Sequence, residues 1–244
     1  MSRTPQFTRQ LAPLLISVII PALNAAPRLS ACLNALVEAS IAGVVKEVIV
    51  MDGGSSDDTL EIADGFGARI ETTTPGRGRQ LAEGARLARN QWLLFLHGDT
   101  VLEDGWRHEA EAFMQHDGPR AGVFSLCFDA TGAPPRIVVA GAMARTHILR
   151  LPYGDQGLLI SRETYESVGG YRDLPLMEDV DFMQRFVKQY GRGALSIFKS
   201  KAVTSAARYE DNGYARQVLS NGLRLVQFLT GVKSAKDIAE SYSK

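Results

Sequence analysis

Apolar runs of strand length alternate with helix-period stripes through the first part of the chain, and two runs end in acidic, glycine-containing turns. Val48-Ile49-Val50 leads into Met51-Asp52-Gly53-Gly54-Ser55-Ser56-Asp57-Asp58-Thr59. Trp92-Leu93-Leu94-Phe95-Leu96 leads into His97-Gly98-Asp99-Thr100. Strands separated by helices argue for a largely parallel sheet with right-handed crossovers. In such an open α/β sheet, ligands bind in the crevice outside the carboxyl ends of the strands. Two carboxylates delivered there suit a phosphate-rich ligand held through a divalent cation.

The alternation predicts strands at 16–21, 47–51, 68–72 and 92–96, with helices at 27–40, 77–90 and from Asp57 to Phe66. Leu29, Leu33 and Leu36 set the helical spacing of the first helix, and the Asp57 side chain can cap the second. After Thr100 the rhythm changes. Helices are expected at 105–115, 135–149, 179–190 and 214–229, and strands at 122–129, 157–161, 196–199 and 203–205. In the final helix Val218, Leu219, Leu223, Val226 and Leu229 form an apolar stripe. Such a stripe ordinarily faces the core, with a membrane surface or a second subunit as the alternative. Residues 233–244 read as a polar tail, with a helix as an option.

A chain of 244 residues can bury a substantial core, and 45% apolar with 22% charged residues is the balance of a soluble globular domain. Its 27 basic and 27 acidic side chains cancel, which removes any global pull toward nucleic acid or an anionic membrane. Cys32 and Cys127 both sit in apolar surroundings, so buried thiols are expected, with a reducing cytoplasm as the default. Arg3, Arg9 and the run 11–20 imitate a secretory signal, but Pro13 interrupts the run and cleavage would remove the first strand. No stretch reaches the ~18 apolar residues of a membrane span.

Four segments can carry chemistry. Asp52 beside Gly53-Gly54-Ser55 can accept from a nucleobase or ribose, or can simply close a turn. Asp99 is an oxygen ligand suited to Mg²⁺ or Mn²⁺, or a cap for the helix that follows. His97 can touch that cation or a phosphate, or be a satisfied histidine at a strand end. Arg77-Gly78-Arg79-Gln80 opens a helix and favours an anion, or is a solvated basic turn. Glu178, Asp179 and Asp181 start an amphipathic helix; one of them can serve as a general base, or all can complement the helix dipole.

Taken in order, these segments resemble the family-2 glycosyltransferases of GT-A fold. The resemblance is carried by Ser17-Val18-Ile19-Ile20-Pro21-Ala22-Leu23-Asn24, then Asp52 to Thr59, Arg77 to Gln80, and Leu96 to Thr100. Gly154-Asp155-Gln156-Gly157, Gly169-Gly170-Tyr171 and Leu176-Met177-Glu178-Asp179 follow. The later segments, with Thr204-Ser205-Ala206-Ala207-Arg208, are most similar to the small soluble branch of arsenosugar-biosynthesis-type glycosyltransferases.

The resemblance implies an α/β, single-domain GT-A fold with a mixed, mainly parallel central sheet flanked by helices. Its parts would be an N-terminal extension (1–14), a nucleotide-sugar-binding half (15–104), an acceptor half (105–210) and a C-terminal helical segment (211–244). Asp52 would hold the base or ribose of a UDP- or GDP-sugar. Asp99 would ligate Mn²⁺ or Mg²⁺ bridging the diphosphate. Arg77 and Arg208 would contact that diphosphate. Asp179 would deprotonate the acceptor hydroxyl in an inverting displacement, with Glu178 beside it. The donor site would also draw on Pro21, Ala22, Asn24, Gly54, Ser55, Gly78, Gln80, His97, Gly98 and Gln156.

The chain departs from the family pattern at two acidic positions. Asp52-Gly53 stands where two acids are common, and His97-Gly98-Asp99 stands where Asp-x-Asp is common. The Gln-x-x-Arg-Trp signature of processive polysaccharide synthases is absent. The resemblance implies an unidentified acceptor hydroxyl on a small molecule or a lipid-linked molecule, with a homodimer and peripheral membrane contact as further options. The competing readings are a non-catalytic nucleotide-sugar binder or partner protein, and a nucleotidyltransferase of similar architecture.

Overall fold

The computed structural model describes residues 14–242. Its strands are β1 (Ile16–Ala22), β2 (Val45–Asp52), β3 (Arg69–Thr72), β4 (Trp92–Phe95), β5 (Val101–Leu102), β6 (Ala121–Phe128), β7 (Leu158–Ser161) and β8 (Leu195–Thr204). The helices of the first half are α1 (Ala26–Asn34), α2 (Val37–Ile41), α3 (Thr59–Gly65), α4 (Arg77–Leu87) and α5 (Trp106–Met114). They are followed by α6 (Ala133–Leu149), α7 (Arg162–Ser167), α8 (Glu178–Tyr190), α9 (Ala207–Asn212), α10 (Tyr214–Leu229) and α11 (Ala235–Tyr242).

All eight strands join one sheet in the order β3-β2-β1-β4-β7-β6-β8-β5. β3, β2, β1 and β4 are mutually parallel, as their helical crossovers require. β7 runs antiparallel to β4 and β6, β8 is parallel to β6, and β5 is antiparallel to β8. The sheet is therefore mixed and mainly parallel. Strand alternation sorts the core onto its two faces. Val18, Ile20, Val50 and Leu94 join one cluster with Leu29, Trp106 and Phe124. Ile19, Ile49, Met51, Leu93 and Phe95 join the other with Leu81, Phe182 and Phe186.

Four expectations change. The helix expected at 27–40 is two helices, α1 and α2. The Trp106 indole N–H donates to Ala35 O (3.0 Å) at the break, where Leu36 N–H bonds Leu33 O in a tighter turn. The two short strands at 196–199 and 203–205 are one strand, β8, whose register against β6 shifts between Val123 and Ser125. The carboxylate of Glu109 takes the N–H groups of Lys199 and Ser200 at that irregularity (2.8 and 2.7 Å), and Ser125 Oγ donates to Phe198 O. The tail is not merely polar, because α11 buries Ala235 and Ile238. The stripe on α10 does not face the core. Gln217 and Leu225 are its buried residues, while Val218, Leu219, Leu223, Val226 and Leu229 are exposed.

Both cysteines are free thiols, Cys32 buried and Cys127 half-buried. Cys32 donates to His97 O (3.4 Å), and burial raises its thiol pKa far above the ordinary value. Residues 1–13, where the signal-like segment begins, lie outside the described residues; its last part is β1, at the centre of the parallel strands. Among the described residues no helix is long and apolar enough to cross a membrane.

Candidate active site

The carboxyl ends of β1 and β2 carry a cross-linked platform. Asp52 is buried, and its carboxylate accepts the N–H groups of Gly54 (2.8 Å) and Ser55 (3.1 Å). Gly54 takes φ 98°, which a side chain would oppose. Asn24, itself left-handed at φ 51°, donates its N–H to Ser55 Oγ (2.8 Å) and accepts from Ser56 N–H on Oδ1 (2.9 Å). Asp57 bonds the N–H groups of both Thr59 and Ala26 (each 3.1 Å), so it serves the starts of α3 and α1 together. Gln80 reaches back from α4, its amide donating to Ala22 O (2.9 Å) and Met51 O (2.7 Å). Pro21 sits half-buried beside Ala22 at the end of β1.

A cleft of ≈ 490 Å³ opens over β4 and the first turns of α4, α8 and α9. It gathers Arg77, His97, Asp99, Asp179 and Arg208, five of the residues expected from sequence. Asp99 is exposed, and the helix-cap alternative fails because α5 starts after Gly105. A Cβ added at Gly98, between His97 and Asp99, would lie 3.4–3.7 Å from the Ala25, Ile20 and Leu29 side chains. His97 Nε2 is buried with no hydrogen-bond partner. Desolvation, with Arg77 and Arg208 nearby, lowers the imidazole pKa to about 3, so it is neutral. It lies tight against Gly154, where an added Cβ would come within 2.4 Å of Nε2.

The first turn of α4 carries the basic pair Arg77 and Arg79. Arg79 pairs with Asp173, and Gly78 sits where a Cβ would meet Arg172 O at 2.3 Å. Only Arg77 reaches the cleft, and its guanidinium is paired with Glu178. The three acids of α8 separate. Glu178 turns inward, fully buried against Arg77, with Oε2 unbonded and its pKa raised chiefly by burial. Asp181 turns outward to Arg172 and Arg185. Asp179 lines the cleft, where its Oδ2 accepts Gly154 N–H (2.8 Å) and its Oδ1 accepts Val180 N–H (2.7 Å). Met177 starts this helix in the left-handed region at φ 65°.

Gln156 does not line the cleft. It is fully buried, accepting from Thr146 Oγ1 (2.7 Å) and donating to Phe124 O (3.0 Å). Its neighbour Asp155 lines the cleft instead, and burial raises that carboxyl to about 6. Tyr153 and the polar side of α10 were also missed. Gln217, Asn221 and Arg224 wall the cleft, and Gln217 Nε2 donates to Asn221 Oδ1 (3.0 Å). The i, i+4, i+7 spacing of these polar residues was the available signal.

Among the described residues no group of three or more His, Cys, Asp or Glu is placed to hold a metal ion. Asp99, an open carboxylate, and His97, a neutral imidazole with an unpartnered nitrogen, line one cleft. That partial donor set fits a cation that takes its other ligands from phosphate oxygens and water.

The chain matches the family model "Glycosyl transferase family 2" over residues 17–152, more than half its length. It is 38% identical over 95 residues to the PGL/p-HBAD biosynthesis glycosyltransferase of Mycobacterium bovis, a match that spans 36% of each chain. It is 24% identical over 219 residues to an uncharacterized glycosyltransferase of Rickettsia felis, covering 87% of this chain and 73% of that one. Among solved structures, S. aureus TarS 1–349 in complex with UDP-GlcNAc superposes with TM-score 0.60 at 17% identity, covering 78% of this chain and 58% of TarS 1–349. Glucosyl-3-phosphoglycerate synthase from Mycobacterium tuberculosis, with Mn²⁺ and UDP-glucose, gives 0.59 at 19% identity, covering 86% and 78%. The sheet order and the neighbours define a GT-A fold. With the family match covering the strands that carry Asp52 and Asp99, the chain belongs to glycosyl transferase family 2.

Proposed function

We propose that this chain transfers a sugar from a nucleotide-sugar to an acceptor hydroxyl with inversion at the anomeric carbon. The observation that carries the reading is Asp179: its carboxylate lines the same cleft as Asp99 and His97 and is held there by Gly154 N–H. A base must be fixed within reach of the proton it takes, and Asp179 is fixed. The acceptor O–H proton passes to Asp179 while the oxygen attacks the anomeric carbon. The bond from that carbon to the diphosphate oxygen breaks, and its electron pair leaves with the nucleoside diphosphate. Arg77 and Arg208 offer positive charge to that leaving group from the cleft wall. Glu178 is a positioning residue, holding Arg77 from beneath.

Asp52, Asn24 and Ser55 form the platform for base and ribose at the β1 and β2 ends. Asp99, with His97, would hold Mn²⁺ or Mg²⁺, which would supply Lewis-acid stabilisation of the departing diphosphate. The UDP-sugar and Mn²⁺ in the two neighbouring structures support UDP-sugars as the first donors to try. Within the family, Gly154 to Gly157 and Thr204 to Arg208 favour the arsenosugar-biosynthesis-type branch.

Calorimetric titration with UDP, GDP and their sugars, with Mn²⁺ and with chelator, tests the donor site. One nucleotide is expected to bind only with the metal and to lose binding in Asp99→Ala. Asp179→Asn is expected to keep donor affinity within ~3-fold and to lose turnover by ~10³-fold or more, as removal of a base does. No nucleotide binding by the folded protein would overturn the donor site. Turnover surviving in Asp179→Asn would overturn the base.

A further inference from the structure

We infer that the outer face of α6 and α10 seats the protein on an anionic lipid bilayer. α10 is amphipathic with its faces reversed relative to a core helix. Gln217, Asn221 and Arg224 point to the cleft, while Leu219 is 75% exposed and Leu223 56% exposed on the opposite side. Val218, Val226 and Leu229 continue that stripe at helical spacing. α6 packs beside α10 and adds Ile137, 71% exposed, and Ile148, 64% exposed. Ala140, Gly141 and Ala144 lie between them on the same exposed stripe. Two neighbouring helices thus turn continuous apolar stripes outward, which marks an interaction surface rather than scattered exposure.

Charge selects the occupant. Neither helix contains an aspartate or a glutamate. Arg136 and Arg216 are exposed on them, and Arg192 bonds Ile148 O at the carboxyl end of α6. Of the carboxylates flanking the two helices in sequence, Asp129 pairs with Arg28, Asp155 and Asp211 line the cleft, Glu210 lies on α9, and Asp237 on α11 accepts from Ser234 Oγ. An apolar stripe bordered by arginines is the pattern of a helix lying in the headgroup region of an anionic membrane. Two copies meeting through this face would set arginine against arginine, which opposes a symmetric dimer. Docking in this way would put the cleft behind α10, directly above the lipid surface.

Flotation of the full chain with vesicles tests the inference without reference to activity. The protein is expected to float with phosphatidylcholine vesicles containing phosphatidylglycerol, to float poorly with phosphatidylcholine alone, and to be released by salt. The double variant Leu219→Glu, Leu223→Glu is expected to lose vesicle binding by ~10-fold or more, with unchanged circular dichroism, because both side chains are exposed. Arg136→Glu with Arg216→Glu provides a second variant that leaves the apolar stripe intact and is expected to weaken binding to anionic vesicles alone. Absence of flotation, or equal flotation of the variants, would overturn the proposal. So would a solution dimer that the leucine variant dissociates, since the face would then be an interface between copies.

Discussion

Three acids within four positions of α8 meet three different fates. Glu178 is sealed beneath Arg77, Asp179 lines the cleft, and Asp181 is paired with Arg172 and Arg185. Arg77→Met strands the Glu178 carboxylate and is expected to lower unfolding stability by about 3–5 kcal/mol, with Glu178→Gln in the same chain restoring most of it, as read from urea melts. Asp155 has the opposite problem, because its charge is poorly solvated. Burial raises its pKa from the ordinary aspartate range to about 6, so the protonated carboxyl favours the fold and the benefit fades as pH rises through 6. Asp155→Asn is therefore expected to stabilise the protein above pH 6, by up to ~3 kcal/mol, with the gain vanishing toward pH 4. Melts across that window, without nucleotide, decide it. Sequence brought the reading to Gly154-Asp155-Gln156-Gly157 but not to the right member. A single 3₁₀ turn decides which side chain looks out, and no periodicity spans three residues.

Elements with a local period were legible, and those shaped by distant partners were not. The parallel strands were placed within a few residues because β1, β2 and β4 carry apolar runs and short β3 sits between two helix-period segments. α1 and α2 read as one helix because the group that separates them is Trp106, far along the chain. β8 read as two strands because Glu109 on α5 satisfies the irregular stretch. α10 was correctly bounded and wrongly oriented. Its period gives the angle between polar and apolar faces, not which one meets the protein. Helix α4 depends on a close approach: a methyl at Gly78 would meet two carbonyl oxygens, of Arg172 and Leu174, at 2.3 and 2.7 Å. Gly78→Ala is expected to cost about 1–3 kcal/mol or more in thermal unfolding, because backbone rather than a flexible side chain must move.

At the scale of the molecule, the two halves read from sequence share one sheet. β4 pairs with β1 on one edge and β7 on the other, and Phe124, Leu159 and Phe198 complete the cluster beneath Leu29 and Trp106. A chain ending at residue 104 is therefore expected to lack a cooperative urea transition and near-ultraviolet circular dichroism, despite containing the four parallel strands. The strand order of the second half could not be read, since β6, β7, β8 and β5 pair out of sequence and nothing local records those pairings.

Cys32 gives this architecture an internal clock. Its thiol is fully enclosed below the turn that carries His97 and Asp99 and is bound to His97 O. A reagent can alkylate it only when that floor lifts, so its labelling rate counts opening events directly under the cleft. Half-buried Cys127 on β6 supplies the reference rate in the same molecule. A nucleotide that clamps the turn will slow the first sulfur and leave the second unchanged, which lets occupancy be read from two masses in one spectrum.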